Sequence, residues 1–554
     1  MKLKALAAGL LAAALCFSAA GCGGDSETEP VTSAASSPAS GSAAAHTFTL
    51  AYSSTDTLNP YTAATKSNQE ISQLLFDPLV KLDANFEPVF VLAETITLDG
   101  TSCVIRLRDA QFSDGSQVTA EDVTYSIARA RESTTRYKTQ VDNIRSASAA
   151  NASTVSLTLQ KADPYAVNLL DFPIIKQNSD SRTDADNQAL PPIGSGRYTY
   201  DAESQTLTAN PSYIGGSLNI STISLTDTPD DEALEHAIEV GSLSMYYTDL
   251  SDNTLPKMTG KSQSVPLNNL VYLGVNFSDG LLSHPEVRQA VSAALNRTVL
   301  AASAYYDHAL PASSPFPSVW SAAAAMDTLP LTPNTDQVVA NLEKIGYNTR
   351  DDDGFFVNAN GQRLSLQLLC NVDNSARLNA AERIKEQLAE AGIEITVRSV
   401  NWEAYNAEIA AGSFDLYLGE VKLTNNMDIT QLVTYGGTAA FGLPAPVSSQ
   451  PAATSAPTSS ADTSAAAESG TTTSAVTSGQ EAQAPVLTTA DVVGRYYAGE
   501  AMLSDVMAAF ASELPVIPLL HRCGQVTYSS ELATGPGSTV SDIFFDIASC
   551  SFAS

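Results

Sequence analysis

The chain reads as an α/β protein of several domain-sized units, and three observations carry that reading. Over 103–108, Cys103, Ile105 and Leu107 alternate with Val104, Arg106 and Arg108, the two-residue period of a half-buried strand. Over 362–400, Leu364, Leu366, Leu368 and Cys370 mark one face of a strand. Leu378, Ala381, Ile384 and Leu388 mark one face of a helix, Gly392 suits its C′ end, and Ile393, Ile395 and Val397 mark the next strand. A strand–helix–strand with such short connections implies a right-handed crossover between parallel strands. The third observation is length: 554 residues suffice for about three or four units with large cores.

At the N-terminus, Lys2 and Lys4 precede an apolar run through Leu10, Leu11, Leu15 and Phe17, and small residues lead to Cys22. That is the layout of a secretory signal, too short for a comfortable transmembrane helix. Ala19-Ala20-Gly21-Cys22 resembles the bacterial lipobox, with Ala19 in place of the usual Leu, which implies lipidation of Cys22. Residues 23–46 are mainly Ser, Ala, Thr, Pro and Gly, with acidic residues early and no Phe, Trp or Tyr, a composition expected to form a disordered tether.

Residues 99–126 hold the most specific order of signals. After the strand, Ser113-Asp114-Gly115-Ser116 is a turn, and Thr119-Ala120-Glu121-Asp122 starts a helix, the hydroxyl free to cap and both carboxylates at the positive end of the dipole. The succession DG, alternating strand, FSDG, TAEDV, S resembles the signature of family 5 extracellular solute-binding proteins, the oligopeptide-, dipeptide- and nickel-type receptors of ABC importers. The resemblance implies a two-lobed, periplasmic-binding-protein-like fold of class II, in the large three-domain cluster, with a hinged cleft. Its implied boundaries are 47–75, 190–265 and 510–554 for lobe I, 76–189 for an extra subdomain of that lobe, and 266–509 for lobe II. Within lobe II, 443–485 is a Ser/Thr/Ala/Pro/Gly-rich disordered insertion.

Other segments follow the same pattern. Residues 71–79 have helical spacing, 150–159 a strand pair, and 192–198 a glycine-rich turn that lacks the third glycine and following helix of a phosphate loop. In 283–297, "SHPEVRQAVSAALNR", Val287, Ala290, Val291, Ala294 and Leu295 form an apolar stripe with Arg288 and Arg297 off it. Residues 402–411 read as a helix, 414–418 as a strand, 492–514 as helical in pattern, and 514–519 as the closing "P-x-I-P-L" strand.

A formal net charge of −31 excludes a nucleic-acid binder and a basic membrane-surface patch. Six cysteines include no C-x-x-C pair; Cys103 and Cys370 fall on apolar faces, and a Cys523–Cys550 disulfide is left open. Five histidines form no H-E-x-x-H, and there is neither a G-x-S-x-G nor a P-loop. No metal site or cofactor is expected; Asp351-Asp352-Asp353-Gly354 lacks the ligand spacing of a calcium loop and reads as a solvated turn.

The resemblance places the ligand in the cleft. Tyr61 belongs to the first cleft loop. Trp402 matches the family's pocket tryptophan, with Tyr405 beside it. Peptide-type members place a Trp and then an amine-anchoring Asp after the following strand. Here the run is Gly419-Glu420-Val421-Lys422-Leu423-Thr424-Asn425-Asn426-Met427-Asp428, with Thr424 nearest the anchor. Glu420 or Asp428 could supply a displaced carboxylate, Lys422 could meet an anionic group, and Asn426 joins them as a candidate. The implied protein is a non-enzymatic monomer, lipid-anchored outside the cytoplasmic membrane, which delivers a small solute, a peptide before others, to ABC permease subunits. A nickel or metal-chelate ligand, another polar solute, and a secreted lipoprotein hydrolase are the rivals.

Overall fold

The computed structural model describes residues 46–187, 189–251, 257–278, 280–326, 329–445 and 487–553. The signal, Cys22, residues 23–45 of the tether and positions 446–485 of the insertion lie outside the described residues.

Alternation decides how the strands are buried. The strand Ser102–Leu107 buries Cys103, Ile105 and Leu107 and exposes the residues between. It lies in a four-stranded antiparallel sheet ordered Ala93–Asp99, Ser102–Leu107, Thr154–Leu159, Ile144–Asn151. The helix Ala120–Arg131 follows, and Asp122 accepts from the Thr119 N–H at 2.9 Å and the Thr119 hydroxyl at 2.7 Å. The hydroxyl is thereby held against the carboxylate, a closed form of the expected cap. A second four-stranded sheet pairs Phe48–Tyr52 in parallel with Thr222–Asp227, continued by Thr206–Ala209 and Tyr198–Asp201. One hydrophobic core joins these two sheets.

A seven-stranded sheet forms the remainder. Its order is Met245–Thr248, Val516–Tyr528, Lys261–Val275, Leu416–Lys422, Ser365–Asn371, Glu394–Val400, with Ala309–Pro311 also on Val516–Tyr528. Ser365–Asn371 and Glu394–Val400 are parallel, joined by the helix Ser375–Ala391 whose cap Gly392 has φ of 91°, as the pattern predicts. The sheet is buried on both faces. Val271, Leu273, Leu416, Leu418 and Ile517 enter one core; Leu270, Tyr272, Tyr417 and Val516 enter another. Gly274 is required here, because a Cβ would sit 1.9 Å from the ring of its cross-strand partner Tyr417.

Two long antiparallel strands, Lys261–Val275 and Val516–Tyr528, connect the cores. Val265, Leu267 and Val526 lie in the first core, whereas Val271, Leu273, Ile517 and Leu519 lie in the second. The positions 265/266 and 509/510 expected as boundaries therefore fall inside the strand Lys261–Val275 and the helix Leu503–Glu513. Both long strands thus run from one core into the other.

The described residues settle several local points. Arg288 and Arg297 are buried, because each guanidinium satisfies carbonyls: Arg288 those of Glu513 (2.8 Å) and Leu282 (2.6 Å), Arg297 those of Pro518 (2.9 Å) and Pro330 (2.8 Å). The helical pattern over 492–514 forms two helices, Thr489–Tyr497 and Leu503–Glu513, parted at Gly499 with φ of 76°. Cys523 and Cys550 are separate buried thiols. The Asp351–Gly354 turn joins Thr349–Arg350 to Phe356–Val357, and Arg363 pairs with Asp351, Asp353 and Glu394.

Candidate functional site

A cavity of about 160 Å³ lies where the lobes meet. The helix Lys66–Leu75 supplies Lys66, Gln69, Glu70 and Gln73, one polar stripe at i, i+3, i+4 and i+7, while Ile71, Leu74 and Leu75 face the core. The loop after Ala120–Arg131 supplies Thr135, Arg136 and Tyr137; the strand Met245–Thr248 and its exit supply Tyr247 and Asp249. Asn269 and Lys422, directly opposed on adjacent strands of the large sheet, come from the other lobe.

Strand geometry sets the second lobe's contribution. Glu420 and Lys422, two apart on Leu416–Lys422, project to the same face. Glu420 is occupied: it pairs with Arg377 and Arg522 at 3.0 Å each and accepts from Asn269 at 3.0 Å. Burial opposes its ionisation, but Arg522 and Arg377 outweigh burial and hold the carboxyl below its ordinary value. Lys422 differs. Among the described residues its ammonium has no hydrogen-bond or ion-pair partner, and its accessible surface lines the cavity. Loss of solvation first, then the Arg136 charge, pushes its pKa down.

The other charged groups are only partly matched. Lys66 stands 3.9 Å from Asp249 and 4.8 Å from the centre of the Tyr247 ring. Arg136 donates to the carbonyls of Val540 at 3.4 Å and Ser541 at 3.1 Å and has no carboxylate within ion-pair distance among the described residues. Glu70 has one buried oxygen without a partner, and desolvation raises its pKa to about 8, so it holds its proton at neutral pH.

The remaining candidates are distributed elsewhere. Asn426 and Asp428 line a separate, more open groove of about 660 Å³ with Lys161 and Thr424. Their polar groups bridge the lobes: Asn426 donates to Asp163 at 2.7 Å, and Asp428 pairs with Lys161 at 2.8 Å. Beside them Asn425 donates to Asp171 at 2.8 Å. Tyr61 is buried, its hydroxyl donating to the Pro173 carbonyl and its ring edge-on to Tyr137 at 5.9 Å. Tyr405 is buried and donates to the Leu418 carbonyl at 2.9 Å. Trp402, 52 % exposed, stacks on Tyr405 at 5.6 Å and is not part of the interlobe cavity's lining. Of the residues singled out in the sequence, only Lys422 lines that cavity. Lys66, Glu70, Arg136, Asp249 and Asn269 were not foreseen. The polar stripe on Lys66–Leu75 was a usable signal; the others meet only through the tertiary fold.

The family model for bacterial extracellular solute-binding proteins, family 5 Middle, matches residues 85–442. The chain belongs to that family. Oligopeptide-binding protein AppA of Bacillus subtilis is 25 % identical over 370 residues, covering 63 % of this chain and 68 % of AppA. Glutathione-binding protein GsiB of Escherichia coli K12 is 24 % identical over 368 residues, covering 64 % and 69 %. The unliganded open form of the periplasmic murein tripeptide-binding protein MppA superposes with a TM-score of 0.66 at 16 % identity, covering 92 % of this chain and 98 % of MppA. The fold of this family 5 protein is thus the two-lobed periplasmic-binding-protein architecture, with the cavity between its lobes. Among the described residues no helix is long and apolar enough to cross a membrane.

Proposed function

We propose that this protein captures a short peptide outside the cell, closes its lobes over it, and presents it to the permease subunits of an ABC importer. It works as a non-enzymatic receptor, held to the outer face of the membrane by a lipid on Cys22. The observation that carries the proposal is the interlobe cavity, whose lining comes from both lobes and is polar on each side. A ligand stabilises a closed form only through contacts made there, and a cavity built from both halves supplies them. Peptides are what the names of AppA and MppA state for those proteins, and glutathione is a peptide. The charged start and apolar run before Cys22 and the lipobox-like 19–22 support export and anchoring. Native mass spectrometry of the chain as purified tests the proposal. One intact peptide per chain is expected; cleaved products accumulating from added peptide would replace it with the hydrolase reading.

A further inference from the structure

The cavity's charges are unusual for this chain. The protein carries a formal net charge of −31, yet three cations, Lys66, Arg136 and Lys422, converge on one recess with only Glu70 and Asp249 as acids. Asp249 is near Lys66, Glu70 keeps its proton at neutral pH, and buried Asp171 behind the lining acts on both Arg136 and Lys422, so three cations face two ionised carboxylates and an excess of positive charge remains. Two of the cations have no carboxylate within ion-pair distance among the described residues. Like charges facing one recess repel each other, as Arg136 does Lys422, and an incoming anion relieves that repulsion. Glu420, which could have neutralised Lys422 from the same strand face, is instead held by Arg377 and Arg522. The strand end is pinned beyond Lys422, where Leu423 N–H donates to the Asn268 carbonyl at 2.9 Å, so the ammonium is presented from a rigid edge.

We propose that, within the solute-capturing role argued above, the anchor is an anion site: the ligand's carboxylate seats between Lys422 and Arg136, and its ammonium is met by Asp249 and Glu70. The ligand is a small zwitterion of about dipeptide size, because about 160 Å³ falls below the roughly 300 Å³ at which drug-sized pockets begin. Capture through the carboxylate inverts recognition through the amine, and it matches a chain with threonine, Thr424, at the position nearest the amine anchor.

Isothermal titration of the full chain, freed of carried solute by dialysis, tests this with Ala-Ala, Ala-Ala amide, N-acetyl-Ala-Ala and succinate. Amidation is expected to weaken binding roughly 10- to 100-fold, the loss of one charge-assisted contact, and acetylation to weaken it less. Lys422→Met should reduce the acid to the level of the amide, and Lys422→Arg should restore most of the difference. Equal affinity for acid and amide overturns the anion anchor and leaves peptide capture standing. Binding of succinate alone, lost in Lys422→Met, keeps the anion anchor and overturns peptide capture. No binding by any of the four overturns the proposal. The ligand-side comparison requires no variant, so misfolding of a mutant cannot imitate the result.

Discussion

Glu420 and Arg522 form a 3.0 Å ion pair at the junction of the two lobes, with side-chain exposures of 10 % and 5 %. The pair couples the strand ending at Lys422 to the long strand Val516–Tyr528, and Arg522 also donates to the Asp249 carbonyl at 2.8 Å. Breaking a buried pair from one side strands the other charge, at a cost of about 3–5 kcal/mol. Glu420→Gln should therefore lower thermal stability by that order, read as Tm. The sign with pH follows from the depressed carboxyl: its contribution is full above the ordinary value of 4.5 and is lost as pH falls through the lowered folded value. The Tm difference between wild type and variant should shrink in acid.

Glu70 acts in the opposite sense. Its folded pKa, about 8, lies above the ordinary 4.5, so the unfolded chain ionises first as pH rises. Stability is unpenalised below 4.5 and falls progressively to about pH 8. At about 1.4 kcal/mol per unit, the effect is a few kcal/mol at most. Glu70→Gln should raise Tm at pH 8 and leave it unchanged at pH 4. A ligand ammonium beside Glu70 should also expel its proton, visible as a buffer-dependent binding enthalpy near pH 7.

Hydrogen bonds outside the cavity join the segment after the strand Leu416–Lys422 to residues 168–171. Asn425 donates to Asp171 at 2.8 Å, and Asn168 donates to the Asn425 carbonyl at 3.3 Å. Neither Asn425 nor Asn168 lines the interlobe cavity. Asn425→Ala removes about 1 kcal/mol from the closed form and should weaken ligand binding about fivefold, mostly through faster release. A stopped-flow dissociation measurement checks this.

Trp402→Ala distinguishes two placements of the ligand. Trp402 is half-exposed at the start of its helix and packs on Tyr405, apart from the cavity lining. A ligand in the cavity predicts affinity within about twofold of wild type and a stability loss near 1 kcal/mol from the lost stacking. A ligand seated against Trp402, as the family resemblance implies, predicts a large loss of affinity.

Much of the fold was legible because it depends on local periodicity. The helix Trp402–Ala411 and the alternation of Ser102–Leu107 follow from residue order alone. The burial of Arg288 and Arg297 was not, since a place off the apolar stripe says nothing of the carbonyls from 282–330 and 513–518 that close around them. The site was legible only at Lys422, where a departure from a familiar motif drew attention to one residue. Arg136 and Asp249 join Lys422 only when the subdomain and the hinge strands fold against each other.

The central claim is that the solute lies between the lobes in the recess of Lys66, Arg136 and Lys422. A crystal structure of the chain with the solute that mass spectrometry finds on it tests this most directly. Density in that recess, with an anionic group in hydrogen-bond reach of the Lys422 ammonium, is the predicted result. A solute seated in the groove by Asp428, or against Trp402, would contradict it.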